Sequence, residues 1–356
     1  MKKLFIFCSL ALVFTTCSTK LDILDNWKET SVVYCLLDQS QAKQYVRIEK
    51  AFLGPDNALT MAQNYDSINY TNSMDVWLQE LGSNGVPINI YHLSPDTITN
   101  KDLGDFYAPE YVIYSLSTPL DIHHHNTVLV NTSHKYHLVI NNSLSGNSAS
   151  ATTSMIDSFN ITRPTGNQID IRKIMSNSMV DVQWTGTLKA RVYQVAARFH
   201  YKERDLSNNI TLKVTPDWML SSLSVDSNLA TEPQGIRFDP NSFYRYLSSI
   251  ITADPNVSAR ESDYMEFVIF AGGEELQTYM TVNGPSTSLV QEKPLYTNIN
   301  NGLGLFSSRY QKFSNEMALT LPTKDTLAMG QYSCHLKFLD RNEHITNNLD
   351  LPPGCQ

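Results

Sequence analysis

The chain has 356 residues, 42% of them hydrophobic and only 17% charged, with 27 basic against 35 acidic side chains and a net charge of −8. That length suits two domains with sizeable cores. The balance excludes a disordered chain, and an acidic chain with no basic run is a poor nucleic-acid binder. Ser, Thr, Asn, Tyr and Val are plentiful, which favours strands and turns over long helices.

The N-terminus reads as an export signal. Lys2 and Lys3 precede an apolar run from Leu4 to Phe14 that is interrupted only by Ser9. Such a run is too short to span a bilayer and has the form of a signal-peptide core. It ends Val13-Phe14-Thr15-Thr16-Cys17 with no A-x-A site, and a cysteine directly after the apolar core looks like a bacterial lipobox. The expectation is a signal peptide over 1–16, a lipidated Cys17 (palmitate among its acyl chains) and a short tether over 17–27. Lipidation with several chains would hold the protein to a membrane without a transmembrane helix.

Strand-like segments with turn signals between them follow. They are Thr30–Asp38, Gln44–Phe52, Met74–Leu81, Val86–Leu93, Glu110–Leu116, Tyr136–Asn141 and Ser148–Ser154. Short strands at this spacing predict an immunoglobulin-like β-sandwich over 28–160. Pro164 and Gly166 mark a boundary, and a second β-rich domain is expected over 165–333. Its strands are Val180–Trp184, Lys189–Tyr201, Asn209–Val214, Tyr264–Ala271 and Glu275–Val282, the last two read as a hairpin through Gly272-Gly273. One short helix is expected near 240–251. Asp239 sits at the N-cap position, Pro240 at the first helical position, and Phe243, Tyr244, Leu247 and Ile250 at helical spacing. A tail over 334–356 closes the chain. The fold class is therefore mostly β.

Cysteine usage adds one candidate. Cys35 lies in an apolar strand and reads as buried. Cys334 and Cys355 bracket the C-terminal tail and, in an oxidising envelope, form a candidate disulfide.

The second half carries a resemblance. Trp184, Arg191-Val192-Tyr193, Phe199-His200-Tyr201-Lys202-Glu203, Thr278-Tyr279-Met280, Lys293 to Ile299 and Asn301 to Arg309 are the residues concerned. In the first half Tyr136 to Ile140 and Ser148 to Thr152 join them. Together they resemble a family of Bacteroidota envelope lipoproteins classed as a domain of unknown function, whose members are often encoded near TonB-dependent receptors. The resemblance implies a non-enzymatic outer-membrane accessory and supplies no catalytic residues.

No motif for chemistry stands out. G-x-S-x-G, H-E-x-x-H, a P-loop and an EF-hand loop are absent from the sequence. Gly302-Leu303-Gly304 lacks the third glycine of a dinucleotide fingerprint and reads as backbone freedom beside Phe306. His123 and His125 would share one face of a strand and are weak metal candidates, with His134 or His137 to complete a site. A surface histidine loop is the commoner reading, so no metal or cofactor is expected. Tyr65, Tyr70, Tyr107 and Tyr111 sit in polar stretches and are the candidate ligand-binding residues.

The leading expectation is an outer-membrane lipoprotein, non-enzymatic, binding or serving a partner such as a TonB-dependent barrel. Which membrane face it occupies stays open. A surface glycan-binding protein or adhesin is the first alternative, and an envelope hydrolase with a dispersed active site is the second.

Overall fold

The structure is a computed structural model that describes residues 29–51, 57–70, 74–99, 102, 104–107, 110–117, 132–284 and 295–344. The signal run, Cys17, His123, His125 and Cys355 lie outside the described residues.

The first half forms β1 (Thr30–Asp38), β2 (Lys43–Ala51), two short helices α1 (Ala58–Ala62) and α2 (Tyr65–Ile68), β3 (Met74–Leu81), β4 (Pro87–His92), β5 (Ser94–Ile98), β6 (Tyr111–Ser117), β7 (Lys135–Asn142) and β8 (Ser148–Ser154). Alternation decides which face is buried. In β1, Val33, Cys35 and Leu37 turn inward while Tyr34 stays exposed; in β7, Tyr136, Leu138 and Ile140 turn inward. A four-stranded sheet ordered β4-β3-β7-β8 thus faces β1, β2, β6 and β5 across a core that includes Val33, Ile48, Leu78, Leu138 and Phe306. Strands β7 and β8 pair antiparallel as a hairpin through residues 143–147.

The second half begins with β9 (Ile161–Arg163), β10 (Gln168–Ile169), β11 (Val180–Trp184), β12 (Val192–Asp205), β13 (Ile210–Val214), β14 (Trp218–Ser224) and β15 (Gln234–Phe238). It continues with α3 (Pro240–Ile250), β16 (Val257–Gly272), α4 (Glu274–Asn283), β17 (Gly302–Phe313), β18 (Ala318–Leu319) and α5 (Leu321–Met329). The chain is mostly β, as its composition predicts. The expected helix is α3. Asp239 caps it by accepting from the Asn241 amide at 2.9 Å, and Pro240 opens it. Its buried face, Phe243, Tyr244 and Leu247, joins the second core, where Phe243 meets Phe199 edge-on with ring centroids 5.4 Å apart.

Two differences from the sequence reading matter for the site. Glu274–Asn283 is a helix and not the second strand of a hairpin. Thr278, Tyr279, Thr281 and Val282 are strand formers, yet Gly273 stands at the N-cap and Glu274 and Glu275 fall in the first turn, where carboxylates complement the helix dipole. The second is that a sheet crosses the boundary near 160–165, although the two cores divide close to it, the first taking, among the described residues, only Ile299 and Phe306 from the second half. Residues Ser31–Asp38 of β1 pair in parallel with Gly302–Arg309 of β17, and Gly272–Val268 of β16 pair antiparallel with Arg309–Phe313. One nine-stranded sheet, with the path β13-β12-β16-β17-β1-β2-β6-β5 and β14 also on β12, therefore runs through both halves. At the C-terminus, Leu336 and Phe338 are buried in the second core, so the tail begins as core.

Candidate functional site

The outer face of the nine-stranded sheet carries α4, and a cleft opens beneath that helix. Glu275 fastens the N-terminal turn. Its carboxylate accepts from the Ser307 hydroxyl at 3.0 Å on β17 and from the Thr153 hydroxyl at 3.2 Å on β8. Gly272, just before the helix, packs so closely that a Cβ there would meet Leu276 at 2.7 Å and Val192 at 2.9 Å. Leu276, Tyr279 and Met280 then share one helix face. No residue of α4 is buried, so the helix rests on the sheet without being absorbed into it.

Two cavities flank this face. The larger, about 560 Å³, lies over β1, β2 and β6 and is lined by Tyr34, Tyr45, Arg47, Ile113 and Tyr279 among others. The smaller, about 340 Å³, lies over β12, β14 and β16, against Gln194, Met219 and Phe270. Leu36, Leu276, Met280 and Arg309 line both, so the two are compartments of one cleft.

The larger compartment has a defined electrostatic pattern. Arg309 Nε donates to Asp38 at 3.0 Å, Lys43 Nζ to Asp96 at 2.7 Å, and Arg47 to Glu49. The Asp96 carboxylate raises the Lys43 ammonium, and Lys43 in turn holds the Asp96 carboxyl below its ordinary value. Each cation at the cleft thus has its own carboxylate. Tyr34 and Tyr45 are 39% and 43% exposed. The Tyr279 ring meets Tyr34 edge-on, with centroids 6.3 Å apart and hydroxyl oxygens 3.5 Å apart. That hydroxyl contact, then burial, pushes Tyr34 up to about 12, so it stays neutral across the physiological range. Cys35 contributes to the cleft wall, but its side chain turns into the first core as a packing residue, and burial pushes its thiol up.

The residues singled out from sequence are scattered. Tyr111 borders the cleft on β6, where the Arg47 guanidinium lies over its ring at 5.7 Å. Tyr65 and Tyr107 are half-buried and pack edge-on at 5.5 Å, away from the cleft. Tyr70 is a correction. It is only 3% exposed, its hydroxyl is 3.0 Å from the Ser31 hydroxyl, and it belongs to the first core, so it presents no ring to a ligand. His134 Nδ1 is 2.7 Å from a Glu80 oxygen and His137 Nδ1 is 2.8 Å from the Thr152 hydroxyl. Among the described residues no group of three or more His, Cys, Asp or Glu is placed to hold a metal ion. Cys334 is disulfide-bonded, and its partner lies outside the described residues. Among the described residues no helix is long and apolar enough to cross a membrane, which says nothing of membrane barrels.

Tyr34, Tyr45, Tyr279 and Arg309 escaped the sequence reading. A signal existed for one of them. Tyr45, Arg47 and Glu49 alternate with the buried Val46 and Ile48, and that pattern places an aromatic and a cation side by side on the open face of β2.

No family model and no curated protein matches the chain. Solved structures with some likeness include the C-terminal globular domain of an oligosaccharyltransferase from Pyrococcus abyssi. It is 9% identical, with a TM-score of 0.23, over 69% of this chain and 50% of that one. A tetra-tandem repeat in the extending region of a large adhesion protein is 12% identical, with a TM-score of 0.18, over 86% of this chain and 55% of that one. The chain thus matches about half the length of each, and likeness this distant carries no argument about function.

Proposed function

We propose that the chain is an outer-membrane lipoprotein, anchored through a lipid on Cys17, that works as a non-enzymatic binding or accessory protein and uses the cleft under α4 as its binding face. The observation that carries the reading is the chemistry of that cleft. Its charged groups are spent on one another in the pairs Arg309–Asp38, Lys43–Asp96 and Arg47–Glu49, while aromatic and apolar side chains line the remaining space. That is the wall of a recognition site, in which few polar groups fix orientation and apolar surface supplies affinity. The sequence supports the anchor, with a short apolar run ending at a cysteine. The family resemblance supports a TonB-dependent barrel as the partner.

Two measurements test the two parts. Metabolic labelling with an alkyne palmitate analogue should mark the wild-type chain and leave Cys17→Ala unlabelled; label retained on that variant refutes the anchor. Affinity capture from mildly cross-linked, detergent-solubilised membranes should return an outer-membrane barrel reproducibly. Capture of the chain alone would refute the accessory role.

A further inference from the structure

The proposed binding face has a chemistry specific enough to name a ligand class. At the larger compartment each cation is already matched by a carboxylate, Asp38 on Arg309, Asp96 on Lys43 and Glu49 on Arg47. A wall whose charges are balanced in pairs has no net charge to draw in an ion, so it favours a neutral ligand. An added peptide strand is no better suited. The floor is a sheet face, and β1 is already paired on both sides, by β17 and by β2, so it offers no free backbone ladder.

The remaining groups are tyrosine faces and planar hydrogen-bonding groups. Tyr34 and Tyr45 stand on adjacent strands of the same open face. Tyr279 braces Tyr34 edge-on, and Lys43 lies over the Tyr45 ring at 5.5 Å, so both rings are held in place before any ligand arrives. Around them Gln41 carries an amide that can accept or donate, and Arg309, which spends Nε on Asp38, has terminal nitrogens left to donate. Apolar Leu36, Leu276 and Met280 continue the cleft into the second compartment. A ligand matching this has flat faces of C–H bonds, hydroxyls around its rim, no net charge and an elongated shape. The volume of about 560 Å³ lies within the range of small-ligand sites.

We infer that the cleft between α4 and the outer face of the sheet binds a neutral oligosaccharide, stacked on Tyr34 and Tyr45 and hydrogen-bonded by Gln41 and Arg309. This inference rests on the reading of the cleft as the binding face, and its test stands apart from the barrel capture. The full-length lipoprotein in detergent is applied to an array of neutral and acidic oligosaccharides, and affinities for the hits are measured by calorimetry. The expected result is binding of one or more neutral oligosaccharides. Tyr34→Ala or Tyr45→Ala should weaken it about tenfold or more, the loss of one stacked ring. Tyr34→Trp should retain it, and Tyr65→Ala, remote from the cleft, should leave it unchanged. Circular dichroism of each variant controls for folding. A blank array, binding confined to acidic sugars, or affinity untouched by both tyrosine substitutions overturns the inference. A blank array alongside a captured barrel would remove the saccharide and leave the accessory role standing; bound saccharide without a barrel would do the reverse.

Discussion

At the scale of single residues, two positions have a disproportionate hold on the structure. Glu80, the penultimate residue of β3, is buried in the first sandwich at 5% exposure. Its carboxylate accepts from Asn89 at 2.7 Å and from the Tyr91 hydroxyl at 3.0 Å, both on the edge strand β4, and lies 2.7 Å from His134 ahead of β7. Burial alone would raise this carboxyl, but the hydrogen bonds from Asn89, His134 and Tyr91 outweigh it and hold the group below its ordinary 4.5. A depressed carboxyl stabilises the fold above its ordinary value and loses that contribution as the pH falls through the folded one. Glu80→Gln keeps the shape but loses the charge and turns a donor toward donors, which should cost about 2 kcal/mol near neutral pH. Urea titrations should show the gap narrowing at acid pH; a gap that holds or widens there would mean the carboxylate does not clasp β4. Gly304 is the second position. Its φ is +111°, and a Cβ would lie 2.0 Å from the Val33 carbonyl oxygen across the β1–β17 pair. Gly304→Ala should therefore cost about 3 kcal/mol or more in the same titration.

At the scale of elements, α4 is the part most readily loosened. It has no buried residue, and its firmest attachment is the Glu275 carboxylate on Ser307, itself fully buried, and Thr153. Glu275→Ala should leave Ser307 without its acceptor, a local loss of about 1–3 kcal/mol. Hydrogen exchange should then quicken across residues 274–283 while β12 amides keep their protection; unchanged exchange in the helix would place its anchor elsewhere. This element also marks how far the sequence could be read. Strands with one buried face announced themselves by alternation, as in β1, β3 and β7, and α3 by its Asp239-Pro240 start. The helix α4 was hidden because its Thr278, Tyr279 and Val282 favour strands and its start lacks a side-chain cap. Tyr70 looked exposed among polar neighbours, yet tertiary packing took it into the core. The cleft could not be foreseen for a simpler reason. Its walls come from β1 and β2 near one end of the chain and from α4 and Arg309 near the other, and no local pattern records that meeting.

At the scale of the whole molecule, β17 couples the two cores. Arg309 is the point of transfer, registered with Asp38 of β1 on one side and with Gly272 of β16 on the other. Before it, Phe306 fills the first core at 0% exposure; beyond it, Tyr310 packs on the second core through Phe159, with ring centroids 5.3 Å apart. Parallel pairing over so long a sequence separation is intrinsically slow to form, and β17 packs on both cores. The two halves should accordingly unfold as one unit. Phe306→Ala empties a large site in the first core and should destabilise by about 3–5 kcal/mol. Trp77 lies on β3 of the first sandwich and Trp184 is buried in the second core, so variants retaining one or the other as the sole tryptophan report on each half. With Phe306→Ala both reporters should move to a lower urea midpoint together. If only the Trp77 signal moved, the cores would be independent and β17 a passive bridge. Coincident movement would make the shared strand the reason the cleft, whose floor spans β1 and β17, keeps its shape.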